Sequence, residues 1–242
     1  MSEDGVDRLW FAAGLQAGAR VLDIGAGTGR VAIPLAMRGC RVVALDPATA
    51  MVDQLRAKAR GSKVSAVVAE GAQLPFAIER FDVVVIARLL YLTRDWKVIL
   101  HEACRVLAIG GCLLHEWGNG DDDEDWVRIR EEARRLFEQA GLREPFHPGV
   151  RSEMEIDAQL DDLNFVQEAR VEIGSGVEIT LREFLRRLVD GELSYIWAVP
   201  DAVRSACLPS LVQWSERTFD LDRPVPTPRQ LSWTVHRKIA AQ

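Results

Sequence analysis

The stretch R-V-L-D-I-G-A-G-T-G-R, from Arg20 to Arg30, decides how this chain is read. Val21, Leu22 and Ile24 form a short apolar run that stops at Gly25-Ala26-Gly27-Thr28-Gly29. A buried parallel strand that breaks into a glycine turn and then a helix has this pattern. Glycines permit positive φ and let a ligand approach where a Cβ would otherwise stand. The helix after the turn opens with unpaired N–H groups, which suit an anionic or polar ligand group. The dinucleotide fingerprint G-x-G-x-x-G would need its third glycine where Arg30 stands. That disfavours a nicotinamide-dependent oxidoreductase.

Outward from the turn, strand and helix signals alternate. A helix runs to about Met37, with Pro34 either kinking it or lying in its first turns and Gly39 at its end. A second strand, Arg41 to Leu45, stops at Asp46, about 20 residues beyond the glycine turn. A carboxylate there can accept from both hydroxyls of a ribose, while Asp46-Pro47 also reads as a helix N-cap followed by proline at N1. A helix over 49–60 faces Met51, Val52 and Leu55 inward, and strands follow at Val64–Val68 and Phe81–Ile86. Trp96, Ile99, Leu100, Ala103 and Val106 repeat at helical spacing, and Gly110-Gly111 turn the chain into a fifth strand, Cys112 to Trp117. Before the first strand, Val6, Leu9, Trp10 and Ala13 share one face of a helix over 4–15.

Five segments stand in a telling order: D-x-G-x-G-x-G at 23–29, Asp46, A-E-G-A-Q-L-P-F at 69–76, F-D-V-V-V-I-A-R-L-L-Y-L-T-R-D-W at 81–96 and R-V-L-A-I-G-G at 105–111. Together they resemble the class I S-adenosylmethionine-dependent methyltransferases of the small-molecule type, from about Val21 to Trp117. The resemblance implies a doubly wound α/β fold with a seven-stranded sheet, order 3-2-1-4-5-7-6, its last strand antiparallel. It implies S-adenosyl-L-methionine as cofactor and S-adenosyl-L-homocysteine as product. Asp23, Gly25, Ala26, Gly27 and Gly29 would then surround the methionine end. Asp46, followed by Pro47, would take the ribose, and Met51 would pack on the adenine. Glu70 would accept from the adenine amine, with Gly71 and Ala72 offering backbone N–H groups to a ring nitrogen. Ala87, Arg88, Leu90 and Tyr91 match positions between cofactor and acceptor. The chain departs from the family pattern in three places. Glu70 replaces the usual aspartate, Ile109 replaces a proline, and Tyr91 stands where many relatives carry histidine, so no histidine base carries over.

The rest of the chain is more individual. Asp121 to Asp125 is an acidic run, and it precedes a helix with Trp126, Ile129, Ala133, Leu136, Phe137 and Ala140 inward, so it reads as a helix N-terminus rather than a metal site. A helix near 152–163 and a strand over 165–173 follow. Thr180-x-x-Glu183 is a capping box, Pro224, Pro226 and Pro228 mark an extended loop, and 231–236 alternates as an antiparallel strand. We read one methyltransferase domain over 1–242 with helical cap insertions at about 118–151 and 174–230. Trp117, Trp126, Tyr195, Trp197 and Trp214 would give an aromatic pocket for a small-molecule methyl acceptor.

Apolar residues make up 48% and charged residues 27%, as in ordinary globular chains, and the formal net charge of −6 argues against a nucleic-acid partner. No apolar run reaches membrane-spanning length and no secretory leader pattern opens the chain. Cys40, Cys104, Cys112 and Cys207 are scattered, as reduced thiols in a cytoplasmic protein would be. Monomer and homodimer stay equally open. Methyl transfer needs a base only for an acceptor that keeps its proton. Tyr91, Arg88, His115, Glu116 and His147 are the groups at hand; His115, in an apolar strand, also reads as a core histidine. A domain that binds the cofactor without turnover, as a regulator or partner, is the rival outside enzymology.

Overall fold

Residues 81–87 are the hydrophobic centre from which the rest is laid out. In β4 (Phe81–Ala87) four consecutive residues, Val83 to Ile86, are buried, because helices cover both faces of a central parallel strand. Each such side chain contributes roughly 1.5–3 kcal/mol on burial. The structure, a computed structural model, describes residues 1–117, 124–143, 147–174, 178–193, 196–197, 199–226 and 230–240.

The chain divides into two compact units: 1–118 with 149–173 and 231–242, and 119–148 with 174–230. In the first, β4 pairs in parallel with β1 (Arg20–Ile24) and β5 (Leu107–Trp117). β1 continues in parallel to β2 (Arg41–Asp46) and β2 to the edge strand β3 (Val64–Val68). Beyond β5 lie β9 (Gln230–Lys238) and β6 (Phe165–Gly174), giving the order β3-β2-β1-β4-β5-β9-β6. β9 runs antiparallel to β5, with Thr234 opposite His115. The expected sheet order is therefore present, its seventh strand being β9.

Side chains alternate across the sheet and feed two cores. On one face Val21, Val85, Leu114 and Trp233 pack with α1 (Glu3–Ala12) and α2 (Ala32–Met37). On the other, Leu22, Val84 and Leu113 pack with α4 (Trp96–Val106) and α6 (Glu153–Asp162). Ser2 and Ser152 cap α1 and α6 by accepting from Gly5 N and Glu155 N. Two boundaries differ from the sequence reading. β5 starts at Leu107 rather than Cys112. Gly110 takes φ 76°, and the ladder with β4 slips from Phe81–Leu107 to Val83–Cys112, so the glycines form a bulge inside a strand. Helix α3 (Thr49–Lys58) is capped by Ala48, so neither Asp46 nor Pro47 holds the expected cap positions.

The second unit has its own core. α5 (Glu124–Gln139), α7 (Leu181–Val189) and α8 (Asp201–Thr218) bury Ile129, Phe137, Leu185, Leu188 and Leu211. Thr180 Oγ1 accepts from Glu183 N, which is half of the expected capping box. The Pro224–Pro226 segment is not a loop but β8, paired with β7 (Glu178–Thr180), with Ile179 opposite Val225. Prolines on both sides of Val225 give no ladder donor, which hides such a strand from sequence. Ala140 is exposed rather than inward. The acidic residues 121–123 lie outside the described residues, while Glu124 and Asp125 occupy the first turn of α5. Among the described residues no helix is long and apolar enough to cross a membrane.

Candidate active site

The glycine turn connects β1 to α2 at the carboxyl end of the sheet. Gly25, Gly27 and Gly29 take φ of 71°, 54° and 89°. Two of them serve different purposes. A Cβ on Gly29 would overlap Leu55, whereas one on Gly27 would meet nothing within 4 Å. Gly29 is therefore a packing glycine, and Gly27 sits at an open face. Gly25 N and Ala26 N each donate to Leu45 O at 2.9 Å, which ties the turn to the end of β2.

Asp46 completes that tie. Its Oδ2 accepts from Gly27 N at 2.9 Å and its Oδ1 from Ala48 N at 2.9 Å. A carboxylate offers about four lone-pair sites, so acceptor capacity is left over. Met51 is half-buried on α3, and Pro47 is exposed. At the end of β3, Glu70 is exposed, Ala72 is half-buried, and Gly71 is buried where a Cβ would come within 2.8 Å of Ile24 Cγ2. The structure thus brings Gly25–Gly29, Asp46 and 70–72 to neighbouring strand ends.

Asp23 behaves differently. It is 1% exposed and accepts from Ala32 N at the start of α2. Burial pushes its pKa up to about 7, against the pull of Arg30 and of that N–H. It supports the turn from beneath and is shut off from solvent.

Past β4, Ala87, Arg88 and Tyr91 are half-buried. Leu89 closes on the turn, 3.0 Å from a Cβ built on Gly25. Arg88 takes φ 56°, an uncommon region for a side-chain-bearing residue. Its backbone N donates to Glu116 O, and its Nε lies 3.0 Å from Glu116 Oε1. Arg30 Nη2 donates to the other oxygen of Glu116, a carboxylate with 0% exposure. One buried acid therefore holds together the residue after the glycine turn, the residue after β4 and the end of β5. This Arg30–Glu116–Arg88 group was not predicted as a unit. The available signal was two polar residues, His115 and Glu116, side by side in an apolar strand, which forces one onto each face.

His115 is a core histidine. It is 2% exposed, and burial, aided by His236 and Arg170, pushes its pKa down to about 3. Such a group is a poor proton acceptor at neutral pH. Tyr91 meets Trp117 edge-on at 6.1 Å, and Gly149 N donates to Tyr91 O at 3.0 Å. The other residues expected in an aromatic pocket are Trp126, Trp214, Trp197 and Tyr195. Trp126 stacks on Phe184 at 4.4 Å and Trp214 meets Phe219 at 5.3 Å, both in the second unit's own core. Trp197 is 54% exposed, and Tyr195 lies outside the described residues.

The residues present suit an adenosine-type cofactor. They offer an open glycine, a carboxylate with spare acceptor capacity beside it, and an exposed acid at the next strand end. Residues 21–111 match the methyltransferase domain family. An uncharacterized methyltransferase of Mycobacterium tuberculosis is 33% identical over 144 residues, covering 57% of this chain and 58% of that protein. Demethylmenaquinone methyltransferase of Corynebacterium glutamicum is 38% identical over 114 residues, covering 45% of this chain and 48% of that one. The chain thus spans about half the length of these relatives. The solved [4+2]-cyclase SpnF shares the fold, with a TM-score of 0.63 over 99% of this chain and 81% of that chain at 17% identity. Fold alone does not specify a reaction. The glycine turn and strands β2 to β4 all fall within residues 21–111, the stretch over which this chain matches the methyltransferase domain family.

Proposed function

We propose that this protein transfers the methyl group of S-adenosylmethionine to a small organic acceptor. The observation that carries the reading is the hydrogen bond from Gly27 N to Asp46 Oδ2, which sets a carboxylate with spare acceptor capacity beside the open glycine. The turn from Gly25 to Gly29 would hold the methionine end, and Asp46 the ribose hydroxyls. Glu70, Gly71, Ala72 and Met51 would hold the adenine. When bound, the cofactor supplies a methyl group already activated by a sulfonium. The protein's part is to align the acceptor and exclude water, and alignment alone can contribute about 7–11 kcal/mol. Tyr91 is the candidate for handling an acceptor proton, Arg88 would only lend positive charge nearby, and His115 is not a candidate.

A small acceptor is supported by the acidic net charge of −6 and by the name of the demethylmenaquinone relative. Calorimetry with S-adenosylmethionine and NAD side by side tests the cofactor. We expect micromolar binding of the first and none of the second, and the reverse result would defeat the assignment. A panel of small acceptors, with tRNA and protein substrates in parallel, then tests the acceptor class. Methylation confined to the macromolecules would overturn it.

A further inference from the structure

The opposite, amino-terminal end of the parallel strands carries a feature that methyl transfer does not use. Each of four adjacent strands enters the sheet on a basic residue. Arg20 opens β1, Arg41 opens β2, Lys63 precedes β3 and Arg80 precedes β4. Arg20 and Arg41 are paired in register, and Val42 pairs with Val64, so Lys63 falls beside Arg41. Neighbouring strands lie about 4.8 Å apart, and in-register side chains share a face. Three cations are thus stacked in a row, an arrangement that by itself destabilises a sheet.

Among the described residues Arg20 alone of the four forms an ion pair, with Asp82, whose carboxylate also feels the charge of Arg41. Arg20 forms a fork with Asp82, at 3.1 Å from Nε to Oδ2 and 2.5 Å from Nη2 to Oδ1. Arg41 donates to Gly18 O, and among the described residues Arg41, Lys63 and Arg80 have no ion pair. The row lines a cavity of about 540 Å³ that is also bounded by Ser65 and Phe76. This volume is typical of small-ligand sites, which run roughly 300–1,000 Å³. Phe76 is held edge-on against Phe81 at 5.1 Å and gives the cavity an apolar wall.

We propose that this cavity is a second binding site, for a small molecule that carries two or more linked phosphate groups. Two neighbouring cations without an ion pair, Arg41 and Lys63, with Arg80 lining the same cavity, call for several anionic oxygens. A long nucleic acid is disfavoured because the rest of the chain is acidic, at −6 overall, and would repel an extended polyanion.

Calorimetry with inorganic pyrophosphate at about 50 mM salt tests this directly. The native protein should bind pyrophosphate, and added salt should weaken the binding. Lys63→Glu/Arg80→Glu should weaken it by at least about tenfold, while Arg217→Glu on α8 should leave it unchanged. The double variant should still bind S-adenosylmethionine and should melt no lower than the native protein, since a repulsion has been removed. If charge reversal prevents folding, Lys63→Gln/Arg80→Gln carries the same comparison. Absence of pyrophosphate binding would overturn the proposal, as would equal weakening in both variants. Displacement of pyrophosphate by S-adenosylmethionine would locate it at the glycine turn and overturn the proposal too. An RNA oligonucleotide that binds this face and resists displacement by pyrophosphate would replace the small ligand with a nucleic acid.

Discussion

His115 and Glu116 are neighbours on β5 that face opposite sides of one sheet, and both are buried. Glu116 meets two guanidiniums, Arg30 and Arg88, reached from the ends of two other strands. His115 meets apolar packing and a second buried histidine, His236, and it is held neutral. Equal burial therefore gives opposite outcomes, because desolvating a charge is tolerable only where an opposite charge is already fixed in place. Asp23, on the same face as Glu116, is intermediate: Arg30 lies near it, yet burial dominates and raises its pKa to about 7.

The largest effect should come from breaking the paired side. Glu116→Ala leaves Arg30 and Arg88 facing each other without their shared acid. We expect a loss of about 3 kcal/mol, the low end for a broken buried pair because both guanidiniums keep some water. Chemical denaturation of the variant beside Glu116→Gln measures it. An unchanged midpoint in Glu116→Ala would mean that the pairing contributes nothing.

The next effect concerns pH, and the two faces should act with opposite sign. Asp23 has a raised folded pKa, about 7 against an ordinary 3.8. Its contribution is fully present below about pH 4 and is lost as pH rises through 7. His115 has a lowered folded pKa, about 3 against 6.5. Its contribution is full above 6.5 and is lost as pH falls towards 3. His236, also lowered by burial, adds in the same direction as His115. Between about pH 4 and 6.5 the two slopes oppose one another, each by up to about 1.4 kcal/mol per pH unit. Asp23→Asn should make stability fall more steeply on acidification, and His115→Leu should make it fall less. Stability measured against pH in the three proteins checks this. Identical slopes would show that neither group changes its proton count on folding.

Asp46 is the half-exposed counterpart, a carboxylate paired only with backbone N–H groups. Asp46→Ala should cost about 1 kcal/mol of stability and weaken S-adenosylmethionine binding by roughly tenfold to a hundredfold, about 1.5–3 kcal/mol. A loss of stability with unchanged affinity would confine Asp46 to bracing the turn.

What the sequence determined by itself is the parallel half of the sheet and the glycine turn. The expected bounds of β3, Val64–Val68, agree with the structure, and those of β4 fall one residue short; β4 is legible because Val83 to Ile86, covered on both faces, are all apolar. The antiparallel last strand was legible from its strict alternation, and the α7 start from Thr180 and Glu183, since both are short-range patterns. Tertiary structure alone decided the rest. Arg30 and Glu116 are 86 positions apart, and no local pattern announces that a buried acid will find two cations. Trp126 could have lined a pocket, but a stacking partner 58 positions on, Phe184, draws it into the second unit's core. Arg20, Arg41 and Lys63 are unremarkable residues until parallel pairing brings them side by side, with Arg80 lining the same cavity. Local physics chooses elements, whereas charge and burial are settled by what the fold puts next to them.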